Sequence, residues 1–319
     1  MSETHRLSLE RIAQAATVID PVFLNSPQFR AESLEQQLDC RLVVKVETLN
    51  PIRSFKGRGT HYLAATLDGR PHLVCTTAGN FGQGMAYAAR KRGLPLTIFT
   101  SLTANPLKVE RMRALGAEVR QVGEDFDAAH RAARAFAEEI GGRLVEDGRD
   151  RAISEGAGTI GLEMMRWPDP FDAVLVPLGD GALLAGIARW LKAHRPAIQM
   201  IGVCASGAPA MERSWRAGRV QELGPAKTIA DGIAVTTPFP EPLADITGLV
   251  DDILLVEDDM LVTAMRRAHQ QLGVVLEPAG AAGLAALLTY RARWRGQLVG
   301  TILSGGNITL EQMRQWLVP

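Results

Sequence analysis

Residues 41–59 read RLVVKVETLNPIRSFKGRG, an apolar, β-branched run from Arg41 to Glu47, a turn-forming connection, and then Ser54-Phe55-Lys56-Gly57-Arg58-Gly59. The first part has the composition of a buried strand, and the stretch after Gly57 has the period of a helix. Working outward, the same step recurs. His72 to Thr76 is a strand before a helix through Met85 to Arg92, and Leu96 to Thr100 is a strand before a helix with Pro106 in its first turn, a favoured place for proline. Ala117 to Val122 leads into an alanine-rich helix from Asp125 to Ile140. A helix over 154–166 precedes the strand Asp172 to Pro177, and Gln199 to Cys204 repeats the pattern. Residues 205–250, rich in Gly, Pro and Thr, show little periodicity and read as a long ligand-facing excursion. Asp252 to Val256 is again a strand, and Glu257, Asp258 and Asp259 put negative charge where a helix dipole favours it. A small-residue helix over 278–290, a strand over 297–303 and a short terminal helix complete the order. Such alternation predicts an α/β fold of parallel sheets covered by helices, with ligands beyond the carboxyl ends of the strands.

A chain of 319 residues is about twice the usual domain, so two compact lobes or one large α/β unit are expected. Hydrophobic residues at 46% and charged residues at 22% exclude disordered, collagen-like and coiled-coil chains. Lys plus Arg (35) balances Asp plus Glu (35), so no global field favours a nucleic acid or an acidic membrane as partner. No apolar run approaches the roughly 18 residues of a membrane span, and the N-terminus has no signal-peptide core, which predicts a cytoplasmic protein. Cys40, Cys75 and Cys204 are odd in number and far apart, with no CxxC pair, and read as buried small hydrophobes in a reducing compartment. The 31 glycines gather in runs at 57–59, 79–84, 179–186 and 305–306, at or near strand-to-helix turns. Close approach of backbone to a ligand is one reason for such clusters.

Four of these turns can carry chemistry. Lys56, between an aromatic and a glycine at a helix start, reads as a partly desolvated amine that favours the neutral form a Schiff base needs; an ordinary basic loop is the plain alternative. Thr76-Thr77-Ala78-Gly79-Asn80-Phe81-Gly82-Gln83-Gly84 offers hydroxyl, amide and backbone donors to an anion, or else is a helix capped by Thr77 or Asn80. Gly179-Asp180-Gly181-Ala182-Leu183 can cradle a phosphate on backbone N–H groups. It fails the dinucleotide fingerprint at Leu184 and lacks the GK[ST] of a P-loop, so that phosphate is not part of NAD or ATP. Ser304, in Ser304-Gly305-Gly306-Asn307, can donate to a ring nitrogen or belong to a turn capping the last helix.

Taken in order, these segments resemble the fold-type II pyridoxal-phosphate enzymes of the tryptophan synthase β superfamily, within them the threonine/serine dehydratase and serine racemase branch. The likeness runs along nearly the whole chain: SFKGRG around Lys56, TAGNFGQG at 77–84, GTIGLEM at 158–164, the glycine loop at 179–186, TIADGIA at 228–234, LEPAGAAGLAA at 276–286 and LSGGN at 303–307. It implies two domains, each a mostly parallel sheet flanked by helices: residues 1–71 with 149–319 as a large cofactor-binding domain, and 72–148 as a small mobile domain closing over the substrate. It implies that Lys56 holds pyridoxal 5'-phosphate, with Phe55 beside the ring, Asn80 on the phenolic oxygen, Gly179, Asp180, Gly181, Ala182 and Leu183 on the phosphate and Ser304 facing the pyridine nitrogen. Thr77, Ala78, Gly79 and Gln83, with Phe81 next to them, take the substrate carboxylate. The implied activity is an ammonia-lyase of the dehydratase type. Lys56 removes the α-proton of a β-hydroxy α-amino acid, the cofactor phosphate protonates the leaving hydroxyl, and a 2-oxo acid and ammonia result. A neutral serine beside the ring nitrogen makes a weaker electron sink, which suits elimination.

Four departures from the family pattern refine this. Ala78 stands where racemases carry a serine, which favours dehydration over racemisation, and the missing cysteine-synthase style loop counts against β-replacement. Phe81 replaces the usual histidine and is either core packing or a less polar wall for a bulkier β-group such as that of phenylserine. Asp180 and Ala182 replace glycines, and a carboxylate so close to a phosphate is expected to point away, capping the next helix or touching substrate. Ala205-Ser206-Gly207-Ala208-Pro209-Ala210-Met211 offers no carboxylate for the divalent cation of some relatives, so no metal is expected there. A regulatory domain after Pro319, and feedback by isoleucine, are not expected. A symmetric homodimer is the expected assembly, being the commonest kind.

Overall fold

The computed structural model describes residues 5–318. The run quoted first becomes β2 (Arg41–Val46) and α3 (Lys56–Ala65), as its composition predicts. Before them lie α1 (Leu9–Val18), β1 (Gln28–Arg30) and α2 (Glu32–Leu38), which the sequence pattern did not single out. β2 joins a six-stranded sheet in the order β1-β2-β10-β7-β8-β9, completed by β7 (Ala173–Pro177), β8 (Gln199–Ala205), β9 (Asp252–Val256) and β10 (Leu298–Leu303). Among the described residues only β1 runs antiparallel to its neighbour in this sheet; Thr301 of β10 lies opposite Val44 and Leu175. Alternate residues bury opposite faces: Val44, Leu175 and Val203 pack with Leu34 and Leu284, while Val43, Val174 and Met200 pack with Ile160 and Leu184.

A second, four-stranded parallel sheet has the order β5-β4-β3-β6, from β3 (Leu73–Thr76), β4 (Leu96–Thr100), β5 (Glu118–Gln121) and β6 (Arg143–Val145). Its helices are α4 (Asn80–Arg92), α5 (Pro106–Ala114) and α6 (Phe126–Glu139). Pro106 occupies the first turn of α5 behind the cap Asn105, whose side chain accepts from Leu107 N–H. Each of the two sheets thus falls within one of the two segments expected as domains.

Packing between helices is a second reason for the glycines, beside the approach of backbone to a ligand. A Cβ on Gly59 of α3 would lie 2.5 Å from the Ile153 carbonyl of α7 (Arg151–Met164), and one on Gly156 would lie 2.6 Å from Gly59 Cα. A Cβ on Gly186 of α8 (Ala182–His194) would run into the Ser154 carbonyl. Helices α3, α7 and α8 therefore pack backbone to backbone, and any side chain at these glycines forces them apart.

Residues 205–250 are less irregular than their composition suggests: they hold α9 (Ala210–Ala217), a 3-10 turn (Asp231–Ile233) and α10 (Pro240–Ile246). Three short elements of seven or eight residues or fewer leave too little sequence for a period to show. The remaining helices are α11 (Asp258–Leu272), α12 (Ala282–Thr289) and α13 (Leu310–Trp316). Cys40, Cys75 and Cys204 are all buried and unpaired. Among the described residues no helix is long and apolar enough to cross a membrane.

Candidate active site

Lys56 opens α3 with its backbone N–H on Ser54 Oγ at 3.3 Å, and an isolated bridge ties Ser54 to Gly305 beyond the carboxyl end of β10. The Phe55 N–H donates to the Ser304 carbonyl at 3.0 Å. Three predicted residues, Phe55, Lys56 and Ser304, are thereby joined through backbone, and all are buried. Lys56 Nζ lies 4.9 Å from the centre of the Phe55 ring.

The amine is not surrounded by apolar groups alone: two carboxylates face it, which the reading of a desolvated lysine left out. Its Nζ donates to Asp147 Oδ2 at 2.5 Å and to Asp180 Oδ2 at 2.9 Å. Burial alone would lower its pKa, but the two carboxylates outweigh burial and push it above the ordinary lysine value. Burial and the neighbouring Asp180 push the Asp147 carboxyl up to about 7. Asp180 moves the other way, because against the cost of burial it has the Lys56 charge and the Ala182 N–H.

The glycine loop at 179–186 keeps free backbone donors and sets Asp180 at the start of a helix. Gly181 has φ +102°, a left-handed conformation that favours glycine, and the turn delivers the chain into α8. Among the described residues, the N–H groups of Gly179, Gly181 and Leu183 donate to no protein acceptor, so the donor set an anion needs is present at the start of a 13-residue helix. Asp180 was expected to point away. One of its oxygens does cap the helix, accepting from Ala182 N–H at 2.9 Å, but the other turns to Lys56.

The Asn80 loop follows β3. Gly79, not Thr77 or Asn80, occupies the cap position of α4, and no side chain caps that helix, so its first donors stay available. Thr77 Oγ1 accepts from Gly79 N–H at 3.1 Å. Asn80 Nδ2 donates to Glu277 Oε1 at 2.6 Å, and Asn80 Oδ1 accepts from Asn307 Nδ2 at 2.9 Å, which leaves one amide hydrogen of Asn80 for a ligand. Gln83 is buried with its Nε2 unpartnered, and it lines a cavity of about 260 Å³ with Arg53, Arg111 and Asn307. Phe81 does not share this setting. It is 4% exposed and belongs to a core cluster with Leu63 of α3 and with Leu73, Met85 and Met112 beside the four-stranded sheet, so it gives no ground for a wider, less polar substrate pocket.

Two groups at the site had no role in the sequence reading. Asp147 follows β6, a strand of three residues that is too short to show a period, and so its place at a strand's carboxyl end was hidden. Glu277 lies inside the LEPAG run. It is 3% exposed and pushed up to about 7 by burial, against the attraction of Lys108. Lys108 on α5 pairs with Asp231 of the TIADGIA run, and Arg111 on α5 donates to Asn307 Oδ1 at 2.5 Å, so α5 fastens the smaller unit to the larger at this edge of the site.

Comparison with known proteins matches residues 19–305 to the family described as "Pyridoxal-phosphate dependent enzyme". The L-threonine ammonia-lyase of Thermotoga maritima is 33% identical over 310 residues, covering 96% of this chain and 77% of that protein. The solved T.th. threonine deaminase has a TM-score of 0.90 at 35% identity, covering 95% of this chain and 99% of that one. Maize serine racemase has a TM-score of 0.92 at 28% identity, with 97% and 96% covered.

Proposed function

Since the chain belongs to the family of pyridoxal-phosphate dependent enzymes, we propose that it acts on a β-hydroxy α-amino acid of threonine or serine type and releases a 2-oxo acid and ammonia. It is a lyase of the dehydratase kind. The observation that carries the proposal is the meeting, at one buried amine, of loops from the carboxyl ends of both sheets. The residues fit the cofactor: orphan N–H donors of Gly179, Gly181 and Leu183 suit a phosphate, Lys56 suits its aldehyde carbon, Asn80 its phenolic oxygen and Ser304 its ring nitrogen.

When bound, pyridoxal phosphate supplies an electron sink for a bond broken at the substrate's α-carbon. The chain's residues do the rest. Thr77, Ala78, Gly79 and Gln83 hold the substrate carboxylate through a helix N-terminus and the unpartnered Gln83 amide. Lys56, once freed, takes the α-proton on Nζ, and Asp147 and Asp180 stabilise the ammonium that results. Ser304 would bring no charge to the ring nitrogen, and the weaker electron sink that results would suit β-elimination. Burial of Phe55 and Lys56 keeps water from the reacting atoms.

The test is to purify the protein, look for the visible absorption of a Lys56-bound cofactor and assay threonine, serine, β-hydroxyaspartate and phenylserine for 2-oxo acid. Formation of 2-oxo acid and ammonia from one of them is expected. Lys56→Ala is expected to abolish both the absorption and ammonia release, and full activity in that variant would sink the proposal. The likeness to a serine racemase supports a second reading, racemisation on the same site. Ala78 offers no acid or base for the opposite face of the ring, so L-to-D conversion of serine is expected to be negligible beside deamination. A chiral assay in which racemisation is faster would reverse that order.

A further inference from the structure

The Lys56 ammonium faces one negative charge too many, and the two carboxylates that supply it are held very differently. Asp180 is anchored: Oδ1 accepts from Ala182 N–H and Oδ2 from Lys56. Asp147 comes from the other unit, on the loop after β6. Its Oδ2 accepts from Lys56 Nζ at 2.5 Å, while its Oδ1 is buried with no partner. Of the two, Asp147 is therefore the one that can take and pass on a proton. The titratable groups facing it are Lys56 on α3, Asp180 on the loop before α8 and Cys75 on β3, whose thiol is held neutral by burial and by Asp147 itself. A phosphate beside Asp180 would add negative charge and strengthen the hold of Asp147 on its proton.

We propose that Asp147 is a catalytic acid, the residue that protonates the departing β-group, with Lys56 as its proton donor. The inference rests on the elimination proposed above and deepens it. The α-carbon–hydrogen bond breaks and its proton goes to Lys56 Nζ. The Cβ–O bond breaks with its electron pair on oxygen. Nζ yields one proton to Asp147 Oδ2, Asp147 yields one to the departing oxygen, and water leaves. Both residues end as they began, and no oxidant or reductant is consumed. The cofactor phosphate is then not needed as the acid.

Two measurements test this. In cofactor-free protein, trace labelling of Lys56 with acetic anhydride across a pH series reads the amine directly. Asp147→Asn is expected to raise labelling at pH 9 by about tenfold, one unit of pKa, and an unchanged rate overturns the coupling. In the holoenzyme, serine is compared with β-chloroalanine, whose chloride leaves without a proton. Asp147→Asn is expected to lower kcat on serine by about 100-fold and on β-chloroalanine by less than about fivefold, since only the first needs the acid. Asp147→Glu is expected to restore part of the serine rate, which also guards against a folding defect. Equal losses on both substrates, or no loss on either, overturn the acid role while the dehydratase reading stands. A wild-type protein that eliminates chloride but no hydroxyl from any substrate removes the dehydratase reading and the acid role together, whatever the labelling shows.

Discussion

Lys56 and Arg58 stand two residues apart on α3, so they point to different sides of the helix, and each enters a buried cluster of charge. Around Arg58 the charges balance. Its guanidinium donates to both oxygens of Glu47 and both of Glu163, Lys45 Nζ donates to Glu163 Oε2 at 2.5 Å, and Asn25 N–H and Ser26 Oγ complete the set. Two cations meet two anions, and every carboxylate oxygen is used. Around Lys56 one cation meets two anions, one oxygen is left over, and the carboxylates are 19% and 24% exposed. A closed network has nothing to gain by changing its protonation, whereas an open one does. The contrast separates what holds this fold from what we propose acts on a substrate.

The largest effect should come from breaking the closed network. Arg58→Met leaves Glu47 and Glu163 buried with too little positive charge, and loss of about 3–5 kcal/mol of stability is expected. Lys56→Met leaves Asp147 and Asp180 without their cation, but these carboxylates are partly open to solvent and Asp147 can take up a proton, so a smaller loss of stability is expected while activity ends. Urea unfolding of the two variants side by side is the check, and equal losses would erase the distinction.

A smaller effect concerns acid. Glu163 sits against the cost of burial but is held down to about 2 by Arg58 and Lys45, below its ordinary value of 4.5. A carboxyl whose folded pKa is lowered contributes stability above its unfolded pKa and loses it as pH falls through the folded one. Stability on the order of 3 kcal/mol should therefore disappear between pH 4.5 and 2, as 2.5 units of pKa imply. Glu163→Gln should be less stable at pH 7 and should show a flatter decline over that window. Urea midpoints at pH 7, 5 and 3 measure it; parallel declines in both proteins would assign the acid limb to other carboxyls.

The same contrast explains what could be read from the sequence. Strand and helix order was legible because the long elements carry clear periods, and Lys56, Asn80, Ser304 and the glycine loop stood out as turns rich in donors. The GTIGLEM run was visible as a motif, yet its physical role, Glu163 closing a network with Arg58 and Lys45, depends on residues more than a hundred positions apart. The surroundings of Lys56 were misread for a related reason. Desolvation is a local property that an aromatic neighbour suggests, but the two carboxylates that override it arrive from positions 147 and 180, through a three-residue strand and a helix cap. Phe81 lay within a functional loop by sequence and within a core by packing, since successive residues on a helix turn by about 100° and so face different ways.

The smallest effect is the one that bears most directly on the open cluster. Asp147 is raised to about 7 by burial and by Asp180, from an ordinary 3.8. The sign is opposite to that of Glu163: a carboxyl raised on folding favours the folded state while protonated, so its contribution is full below pH 3.8 and is lost as pH rises toward 7. Because Asp180, which titrates together with it, is lowered as Asp147 is raised, the two contributions offset and the change should be only on the order of 1 kcal/mol. Cofactor-free protein should thus lose a little stability between pH 4 and 7, in the range where Glu163 is already ionised and contributes a constant amount. Asp147→Asn should remove that slope and leave the acid limb below pH 4.5 intact. Thermal unfolding across the two windows separates the clusters: a wild-type slope above pH 4 that persists in Asp147→Asn would mean that the excess charge at Lys56 is relieved elsewhere, by Asp180 or by solvent.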